Sequence, residues 1–379
     1  MNYVGTARPI HDAKGKATGY SKYAGDISLS NMAYLCMLHS KIPHGYVKAV
    51  HAEKALALPG VYGVYHCLNT TDRKYNRYRS NFDQSYLPNE ECAFNDYVRF
   101  VGDKIGVVAA CDQETAERAA RLVEIEYEEL PFSIGFDDTL AGKNCLEGET
   151  PVRDEYTLEV GKKQESTEGL IEVCSTMELP RLHHATMETH ACIADYDPYS
   201  DMLTVYCPNQ AVHGIRTVLA DFLEMPESHV RVVKATMGGS FGAKQEWFLE
   251  PVTALVAKKL CRPVKLVYSR GEAMTDTIVR GAMRMSARGY YTPDGEMKEI
   301  YCDVTLDAGA YIGNAGDYVR ALAGKPTRCY RIPYMHYHGQ VISSNSPVSG
   351  AFRSWSAAEE ALMMERQLDA AAEKLGMDR

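Results

Sequence analysis

In the first third of the chain, short apolar runs typical of strands alternate with segments whose apolar residues have helical spacing. Residues 105–110 are apolar and mostly β-branched or small, Asp112 stands where it can cap a following helix, and apolar residues alternate again over 122–127. The segments AYLCMLHS, AEKALAL and VYGVYH show the same order earlier in the chain, with a Pro59-Gly60 turn before the third. The pattern therefore predicts two strand–helix–strand units in the first of two halves.

The second half mixes predicted strands with longer helices. MLTVYC and VRVVKAT predict strands, and GIRTVLADFLEMP between them predicts a helix. One face of this helix carries Ile215, Val218, Leu219 and Phe222. WFLEPVTALVAKKL predicts a mostly buried helix, and RMSARGYYTPDGEMKEIYCDVTL predicts a hairpin because its Thr-Pro-Asp-Gly turn has the preferred residues in order.

The last helix and the connection between the halves complete the predicted organisation. The helix is predicted to begin at Ser356, with Glu359 completing a capping box, and to end at Gly376. Its apolar stripe consists of Ala361, Met364, Leu368, Ala372 and Leu375. Polar, glycine and proline content rises between the halves while periodicity fades. We therefore predict an α+β chain with a first domain over 1–135, a linker over 136–165 and a second, mixed α/β domain over 166–379.

Composition narrows the function classes. The chain has 379 residues, 45% hydrophobic and 24% charged, which is typical of a soluble globular protein that buries a large interior. A formal charge of -9 argues against a nucleic-acid partner, because phosphate neutralisation needs a basic surface. The opening residues have no apolar core typical of a signal peptide, and no apolar run is long enough for a membrane span. We expect a cytoplasmic enzyme or binding protein.

The eleven cysteines are scattered along the sequence. The closest pair, Cys192 and Cys207, is fifteen positions apart and no CxxC motif is present. This spacing excludes the usual zinc-ribbon and iron–sulfur patterns and favours reduced, buried thiols.

The first candidate for chemistry is ATMGGSFGAKQ, residues 235–245. Gly238, Gly239 and Gly242 surround Phe241 at a predicted transition from strand to helix. Glycine permits backbone angles barred to other residues and lets a ligand approach the main-chain amides, and a helix start attracts anions. The spacing matches neither GxGxxG nor the phosphate loop of nucleotide hydrolases. A tight structural turn and a ligand cradle therefore both remain open.

The second candidate is RLHHATMETHACIADYD. His184, Glu188 and His190 are close enough in sequence for a mononuclear metal site with two histidines and one carboxylate. No recognised ligand pattern matches, so a structural, hydrogen-bonding role and a place in a ligand pocket are alternatives. In the third candidate, SSNSPVSGAFRSWSAAEE, Arg353 lies near a helix start, where a cation is unfavourable unless it points at an anion or is simply solvated.

The order of several motifs adds a resemblance. PNQ at 208–210, MGGSFGAKQ at 237–245, RPVKLVYSRGEAM, DAGAYIGNAG followed by VRAL, and SNSPVSGAFRSW together resemble the molybdopterin-binding subunit of the xanthine dehydrogenase and aldehyde oxidase family. The opening YVGTARPIHDAKGKATGYSKYAGDI resembles the start of that family. The resemblance implies an N-terminal α/β hammerhead domain followed by the first part of a mixed α/β molybdopterin-binding domain.

The resemblance also implies roles for particular residues. Gln210 matches a glutamine whose amide donates to an oxygen on molybdenum, and Arg353 matches an arginine on the other side of the metal. The residues implied to border the cofactor are Gln210, Gly239, Ser240, Phe241, Gly242, Ala351, Phe352 and Arg353. The residues implied to face the substrate are Gln245, Arg320 and Trp355.

Two departures bear on the substrate. The family commonly reads AFRGFG where this chain reads AFRSWS, so Trp355 stands in the place of a phenylalanine that stacks on the substrate. Gln245 occupies a place where xanthine-oxidising members often have a glutamate, which removes a charge. Because Arg320 matches an arginine that contacts the purine in those members, the expected substrate is still an aromatic nitrogen heterocycle, purine-like or otherwise.

The resemblance implies hydroxylation in which water supplies the oxygen atom. The general-base glutamate belongs to a second half of the subunit that this sequence does not match, so no catalytic residue is assigned here. We expect a fragment or a split chain that is inactive alone, with molybdenum-molybdopterin as cofactor. Iron–sulfur clusters and FAD are expected on partner subunits, and a second molybdopterin-subunit chain is a further expected partner. A non-catalytic assembly or binding module that keeps the fold is the alternative.

Overall fold

The computed structural model describes residues 3–78, 88–143, 146 and 150–379, and two large sheets organise them. The strands are β1 (Ala33–His39), β2 (Gly45–His51), β3 (Val61–His66), β4 (Lys74–Tyr75), β5 (Glu91–Cys92), β6 (Tyr97–Val98), β7 (Lys104–Ala110), β8 (Glu124–Glu129), β9 (Val152–Gly161), β10 (Ile171–Leu179), β11 (Ala191–Asp197), β12 (Met202–Cys207), β13 (Val230–Lys234), β14 (Val264–Val267), β15 (Ala282–Tyr291), β16 (Met297–Asp307) and β17 (Tyr334–Ile342). The helices are α1 (Ala13–Ala17), α2 (Glu53–Leu56), α3 (Gln113–Ala120), α4 (Phe136–Leu140), α5 (Val212–Phe222), α6 (Glu250–Leu260), α7 (Arg270–Asp276), α8 (Ala315–Ala323), α9 (Pro326–Cys329) and α10 (Ala357–Leu375).

The seven-stranded sheet joins the two halves of the sequence. Its order is β13-β12-β11-β14-β1-β7-β3, and β1 pairs parallel with β14 and antiparallel with β7. Helices α5 and α6 cover it, and the four residues predicted to form the apolar face of α5 are all buried in this core. The strand and helix predictions for these segments are confirmed, and strands from both sides of the predicted linker form a single sheet.

The five-stranded sheet has the order β10-β15-β16-β17-β9 and its own apolar core, covered by α8 and α10. The predicted hairpin is confirmed, because β15 and β16 pair antiparallel and Gly295 donates its N–H to the Thr292 carbonyl at 2.9 Å. Strand β9 and helix α4 lie within the predicted linker, 136–165. The alternating half-buried and exposed residues of β9 make it an edge strand that pairs with β17. Residues 144–145 and 147–149 of that linker lie outside the described residues.

Two smaller sheets, β6-β2-β8 and β4-β5, complete the first half. The predicted cap of α3 is confirmed, since the Asp112 carboxylate accepts a hydrogen bond from Thr115 N at 2.7 Å. No helix among the described residues is both long and apolar enough to cross a membrane.

Helix α10 corrects two predictions. Ser356 is its N-cap residue, but its side chain makes no capping hydrogen bond, so the predicted capping box with Glu359 is wrong. Long-range partners replace the box: Lys325 donates to the Ser356 hydroxyl, and Arg280 pairs with Glu359. The buried face is also rotated by about one position from the predicted stripe. It consists of Glu359, Glu360, Met363, Met364, Gln367 and Ala371. Gly376, with φ of 67°, ends the helix as predicted.

Candidate functional site

The glycine loop, residues 235–245, lies in the connection between β13 and α6. The helix begins at Glu250, later than predicted, because Trp247, Phe248 and Leu249 are buried in the core before the first helical turn. Gly239 and Gly242 have φ of 98° and 106°, and Phe241 between them also has a positive φ of 55°. The Phe241 side chain is 51% exposed, so the loop holds an aromatic ring at the surface in a backbone conformation that L-residues adopt rarely.

Gly242 explains why the loop needs glycine. A Cβ atom there would collide with the carbonyl group of Ala351 and lie 3.0 Å from the Cα atom of Phe352. The glycine loop and the 351–353 segment therefore lie backbone to backbone, although more than a hundred residues separate them in sequence. The group that lies against Gly242 is therefore the backbone of Ala351 and Phe352.

Gln210 is fixed at the exposed edge of the loop. Its N–H donates to the Lys244 carbonyl at 2.7 Å, and the Ser240 hydroxyl donates to its Oε1. The same hydroxyl accepts from Lys244 N at 3.1 Å. This assignment leaves the Nε2 of Gln210 without a protein acceptor among the described residues. An oriented amide donor therefore stands beside the loop, available to an oxygen atom of a ligand.

A buried ion pair closes the base of the loop. Lys244 Nζ lies 2.6 Å from Glu188 Oε2, which also accepts from Gly238 N at 2.7 Å. Lys244 is 1% exposed, and burial lowers its pKa while the bond to Glu188 opposes that change. The pair joins the start of the loop to its end, so the spacing between Gly238 and Lys244 is set by a side chain from another segment.

His184 and His190 hold the two segments from beneath. The Nε2 of His184 lies 2.9 Å from the Ala351 carbonyl and that of His190 lies 2.9 Å from the Ala243 carbonyl. A carbonyl accepts only, so each Nε2 carries the proton and donates. Burial lowers both imidazole pKa values to about 4, although these hydrogen bonds oppose the shift, and the rings are neutral at pH 7.

The metal hypothesis for His184, Glu188 and His190 is not supported. Among the described residues, no group of histidine, cysteine, aspartate and glutamate side chains has a metal-binding arrangement. The structure gives these three side chains the alternative role, as hydrogen-bonding supports of the two loops.

The 351–353 segment presents one cation outward. Ala351 is buried, and the centroids of the Phe352 and His184 rings are 4.2 Å apart. The Arg280 guanidinium carbon lies 4.3 Å from the centroid of the Phe352 ring. Arg280 also donates to the Arg353 carbonyl at 2.7 Å. The Arg353 side chain is exposed and has no ion-pair partner among the described residues, so its charge is available to an anionic ligand.

The next three residues adopt left-handed backbone angles in succession. Ser354, Trp355 and Ser356 have φ of 83°, 45° and 65°. Lys325 Nζ donates to both the Trp355 carbonyl and the Ser356 hydroxyl, which anchors the turn. The half-buried Trp355 ring packs edge-on against Tyr318, with ring centroids 5.1 Å apart. It therefore joins the cores of both large sheets.

Two substrate-facing candidates lie in different surroundings. Gln245 is partly buried directly after Lys244, at the end of the glycine loop. Arg320 lies on α8 and donates from Nη1 and Nη2 to the two carboxylate oxygens of Asp154 at 2.5 and 2.9 Å. To contact a substrate, Arg320 must release Asp154 or use another N–H donor. Direct contacts thus join Gln210, Ser240, Gly242, Ala351 and Phe352, whereas the contacts described for Arg320 are with Asp154, outside that group.

Glu246 is a residue that the sequence reasoning missed. It is 1% exposed, and its carboxyl group contacts Asn314 and Ala351. In the sequence, Glu246 stands out as an acidic residue directly before the apolar residues Trp247, Phe248 and Leu249. That position does not by itself identify partners 68 and 105 positions away.

The site fits a ligand that carries oxygen atoms and negative charge. An amide donor at Gln210 and a cation at Arg353 belong to the two segments that meet at Gly242, in a loop where two glycines have positive φ. Exposed donors of this kind bind oxyanions, and the exposed Phe241 ring adds an apolar surface.

Comparisons with known proteins identify the families that match the two halves of the chain. A family model described as "Molybdopterin cofactor-binding domain" matches residues 149–379. A second, described as "Aldehyde oxidase and xanthine dehydrogenase, a/b hammerhead domain", matches residues 18–131.

Curated relatives and solved structures extend the match to nearly the whole chain. The xanthine dehydrogenase molybdenum-binding subunit of Escherichia coli O157:H7 is 30% identical over 97% of this chain and 50% of the relative. The nicotinate dehydrogenase large molybdopterin subunit of Eubacterium barkeri is 31% identical over 97% of this chain and 85% of the relative. The aldehyde oxidoreductase of Desulfovibrio gigas has the same fold, with a TM-score of 0.90, 24% identity, and coverage of 99% of this chain and 42% of that one. The chain spans about half the length of several relatives it matches.

Proposed function

We propose that this chain, which belongs to the xanthine dehydrogenase and aldehyde oxidase family of molybdenum hydroxylases, forms one wall of a molybdopterin site. The site is proposed to hydroxylate a nitrogen heterocycle. The observation that carries the proposal is the backbone contact between Gly242 and Ala351. It joins the loop that holds Gln210 to the segment that contains Arg353.

Each residue of the cluster has a role that its geometry supports. When bound, the molybdenum cofactor supplies the two-electron redox chemistry of the hydroxylation. Gln210 donates from Nε2 to an oxygen of the cofactor, and the Ser240 hydroxyl holds the amide in that orientation. Arg353 would stabilise negative charge on the bound cofactor, and the Phe241 ring would add an apolar surface beside it.

The substrate proposed is a purine-like or other aromatic nitrogen heterocycle. Some relatives are named for xanthine, nicotinate and nicotine, each of which contains a ring nitrogen, and others are named for carbon monoxide or aldehyde. We assign Gln245, Arg320 and Trp355 to the substrate side. A neutral amide at Gln245 suits a ring that offers both donors and acceptors, and Arg320 suits an exocyclic oxygen or carboxylate once Asp154 is released.

Electron transfer requires partner subunits in this proposal. The ten described cysteines are all free thiols, so iron–sulfur clusters and FAD are assigned to other chains. The general-base glutamate and further cofactor contacts are assigned to a region equivalent to the second half of the longer relatives, on this or another polypeptide. The complex is proposed to work in the cytoplasm.

The test is purification of the tagged chain from its source organism together with whatever remains bound. Molybdenum is measured by mass spectrometry, pterin by its oxidised fluorescent product, and activity by dye reduction with hypoxanthine, nicotinate and a simple aldehyde. We expect near-stoichiometric molybdenum and pterin, with faster dye reduction for a heterocycle than for the aldehyde.

Matched variants locate the effect. Arg353→Gln should lower molybdenum content at least several-fold, whereas Arg366→Gln, which removes an exposed charge on α10, should leave it unchanged. A complex that contains neither molybdenum nor pterin would contradict the proposal and favour the non-catalytic binding module. Preference for the aldehyde would overturn the substrate class only.

A further inference from the structure

Glu246 lies where three separate loops meet. Its Oε1 atom accepts from Asn314 Nδ2 at 3.1 Å and from Ala351 N at 3.3 Å. Its backbone carbonyl accepts from Asn209 Nδ2 at 2.8 Å. Glu246, directly after the glycine loop, therefore contacts the loop before α8, the 351–353 segment and Asn209, the residue before Gln210.

The space around the carboxyl group is closed. Gly350 lies so near that a Cβ atom there would collide with Glu246 Oε1. The charged groups that face Glu246 are Arg77, from the segment after β4, and Glu91 on β5. Arg77 is itself paired with Glu91 through a hydrogen bond of 2.7 Å from Nε. The carboxyl group thus has little freedom to change partners.

We propose that Glu246 is a positioning residue that sets the spacing between the glycine loop and the 351–353 segment. Through that spacing it places Gln210 and Arg353 relative to each other. The part of the inference that concerns cofactor retention rests on the proposed function, whereas the part that concerns loop spacing rests on this chain alone.

The protonation state decides which substitution preserves the role. Burial raises the pKa of Glu246 to about 8, although Arg77 and the hydrogen bond from Ala351 oppose the shift. The group is therefore mostly neutral at pH 7. Glutamine matches a neutral carboxylic acid in size and keeps an acceptor oxygen, whereas leucine keeps the size and removes both hydrogen bonds.

The first experiment is hydrogen exchange of the purified chain at pH 7, followed by mass spectrometry. Glu246→Leu should accelerate exchange in peptides covering 237–245 and 349–353 by at least tenfold, because the Ala351 N–H loses its acceptor. Glu246→Gln should stay within about twofold of the wild type. Glu299, equally buried, accepts from Gln164 N at 2.6 Å, so Glu299→Leu should accelerate exchange near Gln164 and leave both loop peptides unchanged.

The outcomes separate the possibilities. If Glu246→Leu leaves loop exchange at the wild-type rate, or if Glu246→Gln matches Glu246→Leu, the positioning role is overturned. If Glu246→Leu does not fold, Glu246→Asp replaces it, and equal loop exchange in the aspartate and glutamine variants would overturn the role because aspartate is one methylene too short.

A second readout uses the complex from the source organism. Glu246→Leu should lower bound molybdenum at least fivefold while Glu246→Gln retains it. Absence of molybdenum from the wild-type complex would contradict the proposed function without touching the exchange result. Full molybdenum in Glu246→Leu would overturn the link between loop spacing and the cofactor.

Discussion

The region beneath the candidate site buries a cluster of charged side chains, whereas the five-stranded sheet buries fewer of them. Beneath the candidate site, Arg77, Glu91, Lys104, Asp276 and Glu246 are each at most 2% exposed. In the five-stranded sheet, by contrast, ion pairs such as Arg284 with Glu178 lie on the surface. The first region is held by buried polar contacts between loops, and the second by ladder hydrogen bonds and an apolar core.

The difference follows from the backbone of each region. Strands β15, β16 and β17 satisfy their own N–H and C=O groups in long ladders, so most of their inward-facing side chains are apolar, with Glu299 and Asp307 as buried exceptions. The site loops lack such ladders, and an unsatisfied buried amide or carbonyl is costly. Side chains from distant segments supply the missing partners, which positions the loops but makes them sensitive to the loss of any one partner.

The largest effect expected is from Lys104→Met. Lys104 Nζ pairs with Glu91 and lies 3.8 Å from Asp276, so the substitution leaves Glu91 with Arg77 as its remaining cation and removes the lysine beside Asp276. We expect a loss of about 3–5 kcal/mol in the free energy of unfolding, measured by urea denaturation. Lys48→Met, which breaks an exposed pair with Glu128, is the control. Equal losses in the two variants would remove the contrast between buried and exposed charge.

The next effect concerns pH and Glu246. Its pKa in the folded chain, about 8, lies above the ordinary value of 4.5, so the folded state holds the proton more tightly than the unfolded state. This group's contribution to stability is fully present below about pH 4.5 and is lost as pH rises to about 8. Glu246→Gln should therefore gain stability relative to the wild type over that interval, on the order of 4 kcal/mol by pH 8.

Urea denaturation at several pH values measures this change. Glu299→Gln, in the five-stranded sheet, serves as a buried comparison. A difference between Glu246→Gln and wild type that stays constant from pH 5 to 8 would contradict the raised pKa.

A smaller gain in stability is expected at the left-handed turn. Ser354 has φ of 83° and an exposed side chain, so Ser354→Gly should relieve backbone strain and raise stability by about 0.5–1 kcal/mol. Ser356→Gly should gain less, because it removes the hydroxyl that accepts from Lys325. Thermal unfolding measures both variants. A larger gain for Ser356→Gly would show that Lys325 does not anchor this turn.

The smallest effect is expected for Arg284→Ala. Its guanidinium pairs with Glu178 and Asp137 at the surface of the five-stranded sheet. Surface pairs contribute little because water screens them, so we expect a change below about 1 kcal/mol in urea denaturation. A loss as large as that of Lys104→Met would show that the surface network, too, holds its sheet together.

The sequence by itself determined most of the regular elements. Period-two and helical spacing located the main strands and helices, the Thr292–Gly295 turn identified its hairpin, and Asp112 identified a helix cap. These signals are local, because a strand, a turn or a cap is decided by residues within a few positions of one another. The motif order also indicated the family and the two loops that would meet at the site.

Only the tertiary structure decided how those loops are held. His184 donates to a carbonyl 167 positions away, and Glu246 accepts from an amide 105 positions away. The Ser356 hydroxyl accepts from Lys325 and takes no part in a capping box. Strand β9 lacked a clear signal because an edge strand is defined by its partner, β17. Contacts at such separations depend on which strands pair and in which register, and local periodicity does not encode that choice.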